Sequence, residues 1–299
     1  MSVLVVGSTA LDSIKTPHAE NPRLLGGSAS HAAVAASFFG PVNLVGVVGE
    51  DFPRRYLALY RRHGIDLAGL QVKPGKTFHW AGEYERNMDH RRTLLTELGV
   101  FETFSPDLPA AYRQSPYVLL ANIAPKLQAH VLDQMSKPRF VVADTMDLWL
   151  NVALDDLLAL LRRVDAFVLN ESEAQHLTKQ DNLFDAARAI HRLGPRYVII
   201  KKGQHGSFLS APGGLFLAPA YPLRTVVDPT GAGDSFVGGL VGYLASRGGS
   251  VEHHLRRAII YGSVVASFCC EGFGVTRTDR VKRADIARRL KEMEKLARF

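Results

Sequence analysis

Short β-branched runs alternate along the chain with longer stretches whose apolar positions recur three and four residues apart. The runs are Val3–Val6, Val42–Val48, Tyr117–Ala121, Phe140–Ala143, Phe167–Leu169 and Tyr197–Ile200. Between them the spacing predicts helices over 28–39, 51–63, 126–136, 150–163, 182–193, 232–247, 251–270 and 282–297. Such alternation argues for an α/β fold, a mostly parallel central sheet covered by helices on both faces. In open sheets of this kind ligands bind beyond the carboxyl ends of the strands. Residues 69–104 break the rhythm: Leu70–Val72, Thr77–Trp80, Glu83–Tyr84 and Arg92–Thr96 read as short strands with no helical pattern between them. They predict a second, small sheet, and a hairpin insertion without function is the competing reading. No internal repeat or long linker appears, so residues 1–299 read as one domain carrying that small sheet.

The chain has 299 residues, and its 46% hydrophobic content suffices for a large core. No apolar run reaches the length of a membrane span, and Val3–Gly7 enters a strand without a basic leader. The expectation is a cytoplasmic protein without a membrane partner. Cys269 and Cys270 are adjacent, which argues against an internal disulfide or a zinc site and fits small core residues in a reducing compartment. The net charge of +7 is scattered in pairs such as Arg54-Arg55, Arg61-Arg62, Arg162-Arg163 and Arg288-Arg289. Pairs of this kind mark solvated helix faces, and no nucleic-acid motif accompanies them. Small phosphorylated molecules are a sufficient use for the charge.

The chemistry concentrates in Asp228-Pro-Thr-Gly-Ala-Gly-Asp-Ser-Phe236, which runs directly into a helical stretch. Gly231, Ala232 and Gly233 allow a close backbone approach, and their N–H groups fall where a helix has no internal acceptors for them, so an anion is favoured there. Asp234 in the first turn would stand beside that anion, placed to accept a proton from an attacking hydroxyl. Thr230 as an ordinary N-cap is the bland alternative, but Gly238, Gly239 and Gly242 then demand close helix packing or a nearby ligand, since each costs roughly 1 kcal/mol in a helix.

The string closely resembles the C-terminal signature of the ribokinase-like, or PfkB, carbohydrate kinase family. The resemblance implies a ribokinase-like fold, with Asp234 as catalytic base and the Gly231, Ala232 and Gly233 amides as anion hole. Other motifs follow in family order. Asp12, past the first strand, matches a residue that holds substrate hydroxyls. Gly26-Gly27 before the helix at 28 matches the N-terminal signature, with His31 standing where many members carry Asn. These four residues are the substrate-binding candidates. Asn170 and Glu173 match the family's Asn-x-x-Glu, which implies Mg²⁺ held by Glu173 through water; an N-cap with acidic residues in the first turn is the local alternative. Lys202, Gly203 and Gly206 resemble the nucleotide-contact loop. Gly272 lies in a segment resembling the adenine border, and Asp228 and Thr230 match ligands of a monovalent cation such as K⁺.

The implied activity is transfer of the γ-phosphoryl group of ATP to a hydroxymethyl group of a sugar or sugar-like acceptor. The implied role of the small sheet, about 69–104, is a lid over the acceptor and the contact of a homodimer. A nucleoside kinase shares every motif, and Phe78, Trp80, Tyr84 and Phe101 could stack on a base. A sugar-sensing protein without catalysis is the remote alternative, disfavoured by the presence of Asp234. No P-loop, His-Glu-x-x-His, Cys-x-x-Cys or Gly-x-Ser-x-Gly motif occurs.

Overall fold

The computed structural model describes residues 1–86, 88 and 91–298. In chain order its elements are β1 (Val3–Val6), β2 (Ala10–Lys15), β3 (Glu20–Gly26), α1 (Ser28–Ser37), β4 (Val42–Gly49), α2 (Arg54–Arg62), β5 (Ile65–Lys73), β6 (His79–Tyr84), β7 (Arg91–Glu97) and β8 (Tyr117–Leu120). Then come α3 (Pro125–Gln134), β9 (Phe140–Asp144), α4 (Asp147–Val152), α5 (Leu154–Leu161), β10 (Ala166–Asn170), α6 (Glu171–Thr178), α7 (Leu183–Leu193) and β11 (Tyr197–Lys201). The last are β12 (Ser207–Ala211), β13 (Gly214–Ala218), α8 (Ala232–Arg247), α9 (Val251–Cys269) and α10 (Arg283–Leu296).

The large sheet runs in the order β13-β12-β11-β10-β9-β8-β1-β4-β5. Its strands from β11 to β5 are parallel, and β12 and β13 add an antiparallel edge. Both faces are covered, and β1 shows it residue by residue. Val3 and Val5 pack into the core that includes residues of α1, α8 and α9, whereas Leu4 and Val6 pack into the core that includes residues of α3, α5 and α7. A strand buried on both sides reads as an unbroken apolar run, which is why β1, β4, β8, β9, β10 and β11 are visible in the sequence, whereas the short antiparallel edge strands β12 and β13 are not. The chain leaves β1 for β4 and β5 on one side and returns to β8 on the other, so strand order reverses between β1 and β8. Such a reversal opens a crevice at the carboxyl ends. Asp144, Asn170 and Lys201 are the final residues of β9, β10 and β11 at that edge.

The small sheet has the order β3-β2-β6-β7. Its composition differs from the expected 69–104 segment. Half of it comes from residues 10–26, and Leu70–Val72 belongs instead to β5, paired in parallel with β4 at the edge of the large sheet. The span Glu20-Asn-Pro-Arg gave no strand signal because it is polar and contains Pro22, which an edge strand such as β3 tolerates. The stretch 150–163 is likewise two helices, divided at Ala153, whose φ of −146° and ψ of 38° are not helical.

Close packing accounts for the glycines of α8. A Cβ at Gly238 would lie 2.3 Å from the carbonyl oxygen of Ala32 in α1, and one at Gly242 would lie 2.8 Å from the Ala36 Cα. The obstacles are backbone atoms that no rotamer change can move. Gly238→Ala is therefore expected to lower stability by about 1–3 kcal/mol, the scale of core overpacking, in urea or thermal melts. An unchanged melting curve would show that α1 and α8 can separate without cost.

Candidate active site

The loop before α8 is built around Asp228, which is fully buried. Its Oδ1 accepts the Thr230 N–H at 2.9 Å and its Oδ2 accepts the Gly274 N–H at 3.1 Å. One carboxylate thus ties the loop to the turn that follows α9. Gly231 at the head of α8 is left-handed, with φ of 75°. The Ala232 N–H turns back to the Pro229 carbonyl at 3.1 Å, whereas no backbone acceptor among the described residues takes the Gly231 or Gly233 N–H. Of the three expected anion-hole amides, two are open and the Ala232 amide is engaged in the turn. Asp234 follows in the first turn, beside the positive end of the helix. Burial raises its pKa, and the charges of Lys201 and Arg91 oppose that shift.

The acceptor-binding candidates lie on the small sheet and at the start of α1. Asp12 lies on β2, a strand of the small sheet rather than a turn of the large one. Its carboxylate rests over the bare backbone of Gly26, where a Cβ would fall 1.9 Å from Oδ2. Burial pushes its pKa up to about 7; a hydrogen bond from the Gly27 amide opposes the shift, and the negative charges of Asp228 and Asp234 add to it. Asp12 and Asp234 thus act on each other electrostatically. Register places Trp80 of β6 directly beside Asp12. The Trp80 ring lies across Gly82, held by an Nε1–H donated to the Thr93 Oγ1 at 3.3 Å, with the Arg91 guanidinium 5.5 Å from the ring centroid. Tyr84 two residues further on is buried, and its hydroxyl accepts from the Thr230 Oγ1 at 3.0 Å. The small sheet is therefore bonded to the anion loop.

His31 in α1 is 2% exposed and forms the floor under Gly231, where a Cβ would meet three ring carbons at 2.4 Å. Its Nδ1 faces the Cys269 Sγ at 3.8 Å, and its Nε2 has no hydrogen-bond partner among the described residues. Burial lowers its pKa to about 4 against the pull of Asp228, so the ring is neutral at pH 7.

On the nucleotide side, Asn170 and Glu173 form a capping box at the start of α6. The Asn170 Oδ1 accepts the Glu173 N–H at 2.8 Å, and the Glu173 Oε2 accepts the Asn170 N–H at 2.7 Å. The capping box also places Glu173 among buried charges. Burial pushes its pKa up to about 7; Lys201 opposes the shift and Asp144 adds to it. Lys201 donates to both Asp144 oxygens, at 2.9 and 3.2 Å. Burial works against the Lys201 ammonium, but Asp144 and Glu173 outweigh it and it stays charged. The loop after β11 holds Lys202, an exposed Gly203 and Gly206, the last with φ of 86° and its α-carbon pressed against the Ala218 carbonyl. Gly272 sits in the turn after α9, against Arg277.

Three charged residues near these groups, Lys201, Asp144 and Arg91, are not among the candidates the sequence offers. Lys202 was chosen at the end of β11, yet its neighbour Lys201 is the lysine turned inward, and Asp144 was passed over at the end of the Phe140–Ala143 run. Adjacent lysines at the end of β11 point to opposite faces, but both faces of that strand are buried, so alternation alone does not separate them. Arg91 was invisible, because its relevance depends on where β7 folds. An open groove of about 420 Å³ lined by Tyr221–Thr225, Val227, Glu271 and Arg289 adjoins the Gly272 turn, and one of about 410 Å³ lies away from the site by Arg62, His63 and Asp279.

Residues 2–281 match the model of the pfkB family carbohydrate kinases. The cytidine kinase of Thermococcus kodakarensis is 31% identical over 264 residues, covering 86% of this chain and 92% of that protein. The aminoimidazole riboside kinase of Salmonella typhimurium is 27% identical over 299 residues, covering 92% and 89%. Among solved structures, a nucleoside kinase of Burkholderia thailandensis in complex with inosine superposes with a TM-score of 0.78 at 19% identity, covering 97% of this chain and 96% of that one.

Proposed function

Because the chain belongs to the pfkB family of carbohydrate kinases, whose activity is ATP-dependent phosphorylation of a hydroxyl group, we propose that it phosphorylates the hydroxymethyl group of a ribose-bearing acceptor, a nucleoside in preference to a free sugar. The observation that carries the reading is the meeting of Asp12, Asp234 and the open Gly231 and Gly233 amides at the start of α8. Asp12 and the Gly26-Gly27 backbone hold the acceptor, and His31 borders it from below. The acceptor oxygen attacks the γ-phosphorus and forms the new O–P bond as the bond to the ADP oxygen breaks. ADP keeps that electron pair, and the acceptor proton passes to Asp234. Charge developing on the phosphoryl oxygens faces the two open amides.

The chain's residues fit a hydrated Mg²⁺. Glu173 keeps its Oε1 free of hydrogen bonds in the field of Asp144, while no group of three potential ligands converges among the described residues. Such a donor set suits an ion that retains its waters, and the ion would neutralise phosphate charge. Asn170, Lys202, Gly203, Gly206 and Gly272 form the nucleotide side of the same reading. Asp228 and Thr230 are its monovalent-cation ligands, and a rate indifferent to K⁺ would remove that element. The small sheet acts as the lid, and Leu94 and Leu95, 51% and 41% exposed on β7, support its use in a homodimer, which sedimentation would test. A reducing, cytoplasmic setting agrees with two cysteines that form no bond. No helix among the described residues is long and apolar enough to cross a membrane.

Trp80 favours a nucleoside. Of the four aromatic candidates, Phe78 stacks on Phe101 at 5.3 Å and Tyr84 is bonded to Thr230, which leaves Trp80 as a flat platform beside Asp12. An ADP-release screen should therefore show turnover with cytidine, inosine or adenosine and none with ribose or fructose. Trp80→Ala should raise the nucleoside KM about tenfold, the scale of one stacked base, with kcat little changed. Turnover of free sugars with nucleosides inert would replace this reading with the sugar kinase.

A further inference from the structure

The Lys201–Asp144 pair has no place in the roles assigned so far. Its position is specific. Lys201 closes β11 and Asp144 closes β9, so two strands of the crevice edge deliver one ion pair to the middle of the site. The side chains are 18% and 5% exposed. A Cβ on Gly233 would stand 3.2 Å from the Lys201 Nζ, which puts the ammonium directly against the anion loop. Gly233 is one of the two residues with an open amide. An ammonium has three donors. The two bonds to Asp144 leave the third N–H without a protein acceptor among the described residues.

A buried lysine held by a single carboxylate and pressed against an anion hole differs from an ordinary structural pair. Carboxylates crowd it: Asp144, Glu173 and Asp234 all act on it. A triphosphate adds further negative charge, so the position next to Gly233 requires a fixed cation that belongs to the protein. Resting on the kinase reading, we infer that Lys201 is a catalytic residue whose third N–H binds the γ-phosphoryl group during transfer, and that Asp144 is the positioning residue that aims it. The O–P bond forms and the P–O bond to ADP breaks as described above. Lys201 keeps its protons throughout, and Asp234 alone takes the acceptor proton.

The bonds to Asp144 fix the ammonium before substrate arrives, so little reorganisation accompanies charge development. A lysine is suited to this task as a point charge, whereas the wider planar guanidinium of an arginine would not fit beneath Gly233. Lys201→Arg is accordingly expected to remain folded without recovering activity.

The test compares ATP with ADP binding by calorimetry and adds steady-state kinetics. Lys201→Met leaves Asp144 unpaired, so the neutral double variant Lys201→Met/Asp144→Asn is measured beside it, with thermal melts of both. The double variant should bind ADP within about threefold of the parent while losing roughly tenfold or more in ATP affinity, the scale of one charge-assisted hydrogen bond. Its kcat should fall about 10²-fold with the acceptor KM unchanged. In the single Lys201→Met variant the acid limb of kcat/KM should move to higher pH, because the positive charge that opposes the rise in the Asp234 pKa is gone, whereas the double variant, which also loses the repelling Asp144 charge, should show a smaller shift. An unchanged ATP-to-ADP affinity ratio, or a kcat within threefold of the parent, would overturn the role of Lys201 and leave the kinase reading intact. A parent protein that binds neither nucleotide would overturn the kinase reading itself, and this inference with it.

Discussion

Asp234→Asn is expected to bind ATP and acceptor with near-normal affinity and to lose at least about 10²-fold in kcat, the scale of general-base catalysis. The substitution preserves shape and removes only the proton-accepting charge, so a matching circular dichroism melt is part of the expectation. The pH profile carries an independent check. Burial raises the Asp234 pKa above the ordinary carboxylate value of 3.8, and the protonated acid cannot serve as base. Activity should therefore rise with pH through a limb displaced above that value, and that limb should vanish in the variant. A variant turning over at the parental rate would exclude Asp234 as the base, and the open amides of the loop would then bind an anion for some other purpose.

The second large effect is expected at Gly231. With φ of 75° the residue is left-handed, and a Cβ would strike the His31 ring at 2.4 Å. Left-handed geometry costs roughly 1–2 kcal/mol for other residues. Relief of the collision requires either the loop or His31 to shift, and the loop carries the Gly231 and Gly233 amides. Loss of one donor of this kind typically costs about 10²–10³-fold in kcat, so Gly231→Ala should lose activity on that scale while the distant core remains folded. Coupling to His31 makes the cause testable. In a double-mutant cycle read by thermal stability, His31→Ala should recover part of the loss in the Gly231→Ala background. Strict additivity would show that the ring contact is not the reason.

The centre of the large sheet was legible because β1, β8, β9, β10 and β11 are buried on both faces and are apolar up to their final residues, whereas the edge strands β5, β12 and β13 carry no such run. The small sheet was only half legible. β6 and β7 carry aromatic or β-branched residues, whereas β3 is polar, edge-placed and interrupted by Pro22, so local propensity says nothing about its pairing. The same division holds in the site. Asp234 and the glycines of the loop are fixed by one contiguous string, and local order suffices to read them. Lys201 acquires meaning only from Asp144, 57 residues earlier, because β11 and β9 flank β10 in the sheet and end at the same edge. Arg91 depends on the same kind of long-range placement, since its charge reaches Asp12 and Asp234 only after β7 folds beside β6. The glycines of α8 show the converse. Their cost in a helix was visible at once, but packing against Ala32 and Ala36 explains them without any ligand.

The hydrogen bond between Tyr84 and Thr230 spans 146 positions of sequence, and it joins the sheet that carries Asp12 and Trp80 to the loop that carries Gly231. On the proposed reading, that bond would yoke acceptor recognition to phosphoryl chemistry. A displacement of the small sheet would carry Asp12, Trp80 and Tyr84 with it and pull on the loop before α8 through Thr230. Selection between a hydroxymethyl group and bulk water would then be a question of leverage as much as of affinity, since a water molecule is too small to brace the sheet.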